Sequence, residues 1–241
     1  MTMKMQCMAL GLLLALTGPA QASTWGYEGQ QGPAHWGKVA KECSTGQNQS
    51  PVNIASTTKA KLGQLQFDYQ GRAIAILNNG HTLQTTLEGR NTLTIDGKRF
   101  KLKQFHFHTP SENQVDGKVY PMEAHLVHAD KMGHLAVVAV FFTLGQENPN
   151  LAALLKNVPG SEQRMPISEP IETGSLLPAS RDYYRFNGSL TTPPCSEGVR
   201  WIVMKDPLVM SRAQLQLFMQ AMGSNSRPVQ PVNARLILAQ H

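Results

Sequence analysis

Charge is scarce in this sequence. Asp, Glu, Lys and Arg make up 16% of the 241 residues, too little for a disordered chain or a long solvated coiled coil. Basic side chains form no unbroken run. A net charge of +6, from 22 Lys and Arg against 16 Asp and Glu, therefore gives no reason to expect a nucleic acid partner. Long apolar runs are missing too: Met8 to Leu16 is too short to span a bilayer. No repeat, low-complexity tract or charged linker interrupts residues 23–241, which leaves one domain as the expectation. Cysteine is rare, and its count of three is odd, which needs an explanation.

The N-terminus supplies part of that explanation. Lys4, the apolar run and Ala20-Gln21-Ala22 have the form of a secretory signal peptide over residues 1–22, cleaved after Ala22. Cys7 lies before the apolar run, the wrong place for a lipoprotein, and leaves with the peptide. Cys43 and Cys195 remain as an even pair in an oxidising compartment, which predicts a Cys43–Cys195 disulfide. No membrane span is expected after cleavage.

Turn chemistry is what the sequence has in quantity. Its 20 Gly and 15 Pro follow no collagen-like period and suit a β-rich fold. Short alternating segments predict strands at 64–69, 73–77, 82–87, 92–95, 99–108, 122–128, 135–144 and 199–204, with an Asp96-Gly97 hairpin turn. Helices are fewer. One starts at Asn148, with Pro149 in the first helical position. Another runs from Ser211 as N-cap to Met222 and ends at Gly223, with Leu215, Phe218 and Met222 as core positions. The expected class is mainly β with peripheral helices (α+β), a single domain around a large central twisted, mostly antiparallel sheet.

Of eight histidines, three form a pattern. Alternation over 101–108 puts Gln104, His106 and His108 on one strand face and Phe105 and Phe107 on the other. A polar connection with Asp116-Gly117 as turn residues then leads into 122–128. Read as an antiparallel hairpin, this brings Glu123, His125 and Val127 to the His106/His108 side. Three imidazoles with an open fourth position are the pattern of catalytic zinc, whereas structural zinc sites are usually closed. Gln104 and Glu123 are placed to take the outer N–H of His106 and His125. His128 has the opposite parity and reads as structural; His134 reads as exposed, and neither His35 nor His241 is expected to bind metal.

Further motifs in order along the chain make the sequence resemble the α-class carbonic anhydrases, specifically secreted bacterial members. They are Trp25-Gly26-Tyr27, Gly32-Pro33-Ala34-His35-Trp36, Gln49-Ser50-Pro51-Val52-Asn53-Ile54, Asn78-Asn79-Gly80-His81, the two histidine segments, Ser189 to Cys195, and Asn225 to Pro228. The resemblance implies reversible hydration of carbon dioxide to bicarbonate and a proton. His106, His108 and His125 would hold Zn²⁺. Zinc lowers the pKa of its water to about 7, a value for which carbonic anhydrases are themselves the reference case, and the resulting hydroxide attacks CO₂. Thr191 would orient it, with Glu112 accepting the Thr191 hydroxyl proton. Thr192 would lie beside it. Val127, Val137, Leu190, Val199 and Trp201 would wall the CO₂ pocket; parity alone already turned Val127 towards the metal. His81 would shuttle the proton, with Tyr27 and Gln84 ordering water, and Asn225 would support the ligands.

Two departures stand out. Gln84 replaces an Asn common in animal members, and Thr109 replaces a Trp. Inhibitory anions and sulfonamides are implied as ligands, a homodimer is possible, and the expected location is the periplasm. Ser50-Pro51 and Pro193-Pro194 resemble the family's cis-proline positions. Two other readings compete. In a cupin-type metal oxygenase Glu112 would bind the metal, but the second cupin half-motif is missing. The other is a non-catalytic periplasmic protein of the same fold that binds zinc or recognises carbohydrate.

Overall fold

The computed structural model describes residues 24–240. The expected signal peptide, Cys7 and His241 lie outside the described residues. Thirteen strands share one sheet. In chain order, those on its main path are β1 Thr58–Ala60, β2 Arg72–Asn78, β3 Leu83–Glu88, β4 Lys98–His108, β5 Met122–Ala129, β6 Leu135–Leu144, β7 Gln163–Glu172, β8 Tyr183–Ser189, β9 Glu197–Met204 and β10 Leu238–Gln240. Across the sheet they run β7-β2-β3-β4-β5-β6-β9-β8-β10-β1. On this path β6–β9 and β10–β1 are parallel, and the remaining contacts are antiparallel. The α+β expectation, with a mostly antiparallel sheet, is borne out.

The turns follow from their residues. Asp96 and Gly97 both have positive φ, +49° and +73°, and so do Asp116 and Gly117, at +49° and +76°. Two-residue reversals need this left-handed pair, and Asp-Gly adopts it at little cost. The two longer helices are α1 Pro149–Leu155 and α2 Arg212–Met222. Asn148 Oδ1 accepts the N–H groups of Asn150 and Leu151. Ser211 and Gln214 form a reciprocal capping box at the start of α2. Phe218 of α2 packs on Phe107 at 4.8 Å between ring centroids.

The strand at β7 went unrecognised in the sequence because Pro166 and Pro170 interrupt it. It is an edge strand, where a missing N–H leaves no central ladder bond unmade. β8 is likewise not among the strands expected from alternation. Ser50-Pro51 and Pro193-Pro194 are cis, as the resemblance implied, and Thr109-Pro110 is cis as well.

The sheet separates two apolar clusters. Phe100, Leu102, Phe105 and Phe107 of β4 join Leu126, Val138, Phe142, Leu151 and Phe218 in the larger one. Val137, Ala139, Phe141, Val199, Trp201 and Val203 form the smaller one on the opposite face with Val52 and Ile54. The core positions on β4 change from even to odd because a bulge breaks its register with β5 between Leu102 and Gln104. The alternation read over 101–108 therefore holds only beyond the bulge, which is where the histidines lie.

Candidate metal centre

Register brings the histidines together. Gln104 faces Val127, His106 faces His125, and His108 faces Glu123 across β4 and β5. Directly opposite residues share a face. Ring centroids are 5.0 Å apart for His106–His108, 5.4 Å for His106–His125 and 4.5 Å for His108–His125. One nitrogen from each ring lies within 4.8 Å of the others.

The remaining nitrogens are engaged, which sets the tautomers. His106 Nδ1 meets Gln104 Oε1 at 2.9 Å, and His108 Nδ1 meets the Asn225 carbonyl at 2.8 Å. A carbonyl only accepts, so each Nδ1 carries the proton and each Nε2 keeps a lone pair. His108 Nε2 is buried with no hydrogen-bond partner. His125 Nε2 stands 3.1 Å from Glu123 Oε1, close enough to pair although off the line of a hydrogen bond. Glu123 is itself clamped: it accepts the N–H groups of Glu112 and Asn113, both at 2.8 Å, and Asn113 Nδ2 at 2.7 Å. Burial pushes its carboxyl up to about 7, against those hydrogen bonds. Burial first, then neighbouring imidazoles, hold His106 and His125 well below the usual histidine range. His108 is also lowered, chiefly by burial. Three neutral imidazoles with lone pairs free at one point, one of them orphaned, fit a dication.

Glu112 is buried beside this cluster. Its Oε1 accepts the Arg227 N–H at 2.9 Å. Burial raises its carboxyl well above the usual range, while that N–H and the Thr191 hydroxyl pull it down. Thr191 is itself buried. Glu112 is not among the groups that converge as ligands.

A cleft of about 140 Å³ opens from His106 and His108 past Gln104, Gln84, Thr192 and Tyr27 to His81. His81 sits in a turn made by Asn79, whose Oδ1 accepts the N–H groups of His81 and Thr82 at 3.0 and 2.9 Å. Its ring stacks on Trp25, 3.8 Å between centroids and 9° from parallel. Desolvation lowers its pKa, opposed by Glu162. The Tyr27 hydroxyl is pushed up by burial and then by the Glu112 charge.

Two residues tie this turn to β4. Thr82 Oγ1 donates to the Phe107 carbonyl at 2.6 Å and accepts the Phe107 N–H at 3.2 Å. Asn225 Nδ2 donates to the carbonyls of His81 and Phe107 at 3.0 and 2.9 Å. Phe107 lies between the two ligand candidates of β4.

Val137, Val199 and Trp201 are buried in the smaller apolar cluster, with Val127 and Leu190 packed against it. Trp201 meets the His125 ring edge-on at 4.9 Å. The smaller apolar cluster and the histidine cluster are thus continuous. Cys43 and Cys195 form the expected disulfide. Sequence reasoning missed Asn113, Arg227, Thr82 and the stacking role of Trp25. Asn113 and Arg227 act through hydrogen bonds to distant segments, and no spacing rule announces those.

Fold and site together define an open β-sheet protein with a three-histidine cluster that fits a metal ion. Residues 31–241 match the family of eukaryotic-type carbonic anhydrases. A carbonic anhydrase of Pectobacterium atrosepticum is 45% identical over 238 residues, which cover 95% of this chain and 98% of that one. The structure of Photobacterium profundum α-carbonic anhydrase is 54% identical with a TM-score of 0.88, covering 89% of this chain and 99% of that one. The Thermovibrio ammonificans α-carbonic anhydrase, solved with the inhibitor sulfanilamide, is 51% identical with a TM-score of 0.87, covering 89% and 98%. The chain belongs to the α-class carbonic anhydrase family, and its enzyme class is that of carbonate dehydratase, a lyase. The cupin reading falls with this result.

Proposed function

We propose that residues 23–241, delivered to the periplasm by cleavage after Ala22, hydrate CO₂ reversibly to bicarbonate and a proton. Zn²⁺ would be held by Nε2 of His106 and His108 and by His125, whose Nε2 faces Glu123 and leaves Nδ1 for the metal. The observation that carries this reading is the buried, unpartnered His108 Nε2 within a set of neutral imidazoles. Bound there, zinc supplies a Lewis acid that makes water nucleophilic near neutral pH, and a positive charge that favours ionised Glu112 and Glu123.

The chain's own groups do the rest. Glu112 accepts the Thr191 hydroxyl proton, so the Thr191 oxygen can only accept from the attacking water. This fixes the direction of attack. The apolar side chains Val127, Val137, Leu190, Val199 and Trp201 hold CO₂ where water binds poorly, and Thr192 lines the approach. His81 takes the released proton through water ordered by Tyr27 and Gln84, since histidine titrates near neutral pH. Inhibition by sulfonamides extends to this chain from its Thermovibrio relative.

The test is metal analysis joined to a CO₂ hydration assay. One zinc per chain is expected, with activity lost on chelation, restored by zinc and suppressed by sulfanilamide. Stoichiometric zinc without hydration would instead establish the non-catalytic reading.

A further inference from the structure

We propose that the end of the β4–β5 strand pair remote from the metal cluster is a docking surface for an anionic lipid bilayer. Lys98, Arg99, Lys101 and Lys103 of β4 line one groove of about 630 Å³ with Lys131 and Met132 from the turn after β5. Its one carboxylate, Asp130, is already taken. Asp130 Oδ2 lies 2.8 Å from His134 Nδ1, and Oδ1 accepts the N–H groups of Met132 and His134 at 2.8 and 2.9 Å. Asp96, in the neighbouring turn, pairs with Arg185 at 2.6 Å. Arg72, Arg90 and Lys156 find acidic partners elsewhere among the described residues, but none of these five cations does. Five unpaired cations in one groove nearly equal the chain's whole net charge of +6.

Met132 decides the class of partner. It is 81% exposed beside Lys131. An apolar tip within a cationic rim suits a headgroup layer, where phosphates meet the ammonium and guanidinium groups and the thioether enters the acyl boundary. A nucleic acid or soluble polyanion would use the cations alone. A second copy of this chain, docked face to face, would set like charges against like. The groove shares no residue with the cleft between His81 and the metal cluster, so docking leaves substrate entry free.

The experiment is co-sedimentation of the zinc-loaded mature protein with vesicles. Phosphatidylglycerol–phosphatidylethanolamine vesicles are compared with phosphatidylcholine alone, at low and high salt, and heparin serves as the soluble polyanion. Binding to the anionic vesicles only, lost at high salt, is expected. K98Q/K131Q should weaken that binding roughly 30-fold, since each basic residue near an anionic surface contributes about fivefold. M132S should weaken it too, and hydration activity should be unchanged in both variants, which reports intact folding. Absence of binding to anionic vesicles, or binding indifferent to K98Q/K131Q, overturns the proposal. Heparin retention without vesicle binding replaces the bilayer with a soluble polyanion, and M132S binding the vesicles as the native chain does overturns the acyl-boundary contact on which the choice of a bilayer rests.

Discussion

Asn225 shows how much one side chain can arrange. Its carbonyl holds His108, its Oδ1 accepts the Thr109 N–H at 2.7 Å, and its Nδ2 spans the backbones of His81 and Phe107. Proposed shuttle and proposed ligand are thus fastened by one residue. The His81 assignment is tested at this scale. H81A should lower kcat roughly tenfold in dilute buffer, less than the usual general-acid/base contribution because solvent water also carries protons. Imidazole buffer should restore the rate, and kcat/KM should stay near its native value. No rescue by buffer means that the proton leaves by another route. The histidines proposed as ligands were legible in the sequence because strand parity is a local rule, with Gln104 from the same parity and His125 and Glu123 from reading 122–128 as the returning strand of a hairpin. Asn225, which holds His108, was named only through the resemblance, since what it offers is a backbone carbonyl 117 positions away, and a carbonyl leaves no mark in a sequence.

At the scale of elements, the helix starts were legible to the residue. Asn148 and Ser211 cap as their types suggest, because capping is a contact between near neighbours in sequence. S211A removes one half of the capping box on α2. It should cost about 1 kcal/mol of stability, read from the denaturant midpoint, with hydration activity intact. A larger loss together with lost activity would mean that α2 positions the site through Phe218 and Met222 as well as stabilising the fold. The strand ladder was less legible. The bulge after Leu102 inverts the parity of β4, and its place depends on pairing with β5. The basic groove escaped for a related reason. Phe100 and Leu102 interleave with its lysines, so no run shows in the sequence, while the turn after β5 brings Lys131 beside them.

For the whole molecule, the disulfide reaches furthest. Cys43 and Cys195 are 152 positions apart, and closing a loop of that size constrains the unfolded chain by roughly 5 kcal/mol at most. The bond lies within a polar network at the Thr191 loop. Gln49 Nε2 donates to the Cys195 carbonyl at 3.0 Å, Arg227 donates to the Cys43 carbonyl at 2.9 Å, and the Cys195 N–H meets the Thr192 carbonyl at 2.8 Å. Reduction should therefore lower both Tm and turnover; unchanged values for both would show that the loop is held without the bond. By itself the sequence determined what local periodicity and residue chemistry can carry: the β-rich class, the helix caps, the i, i+2 histidine pair, and the even cysteine pair once Cys7 is set aside. Tertiary structure decided what depends on closing long loops. It fixed the β4–β5 register that sets His125 directly opposite His106 and Glu123 opposite His108, placed Thr82 and Asn225 on the Phe107 backbone, and put five cations in one groove. Such contacts arise only when distant segments share a packed sheet, because burial selects their partners and sequence spacing does not.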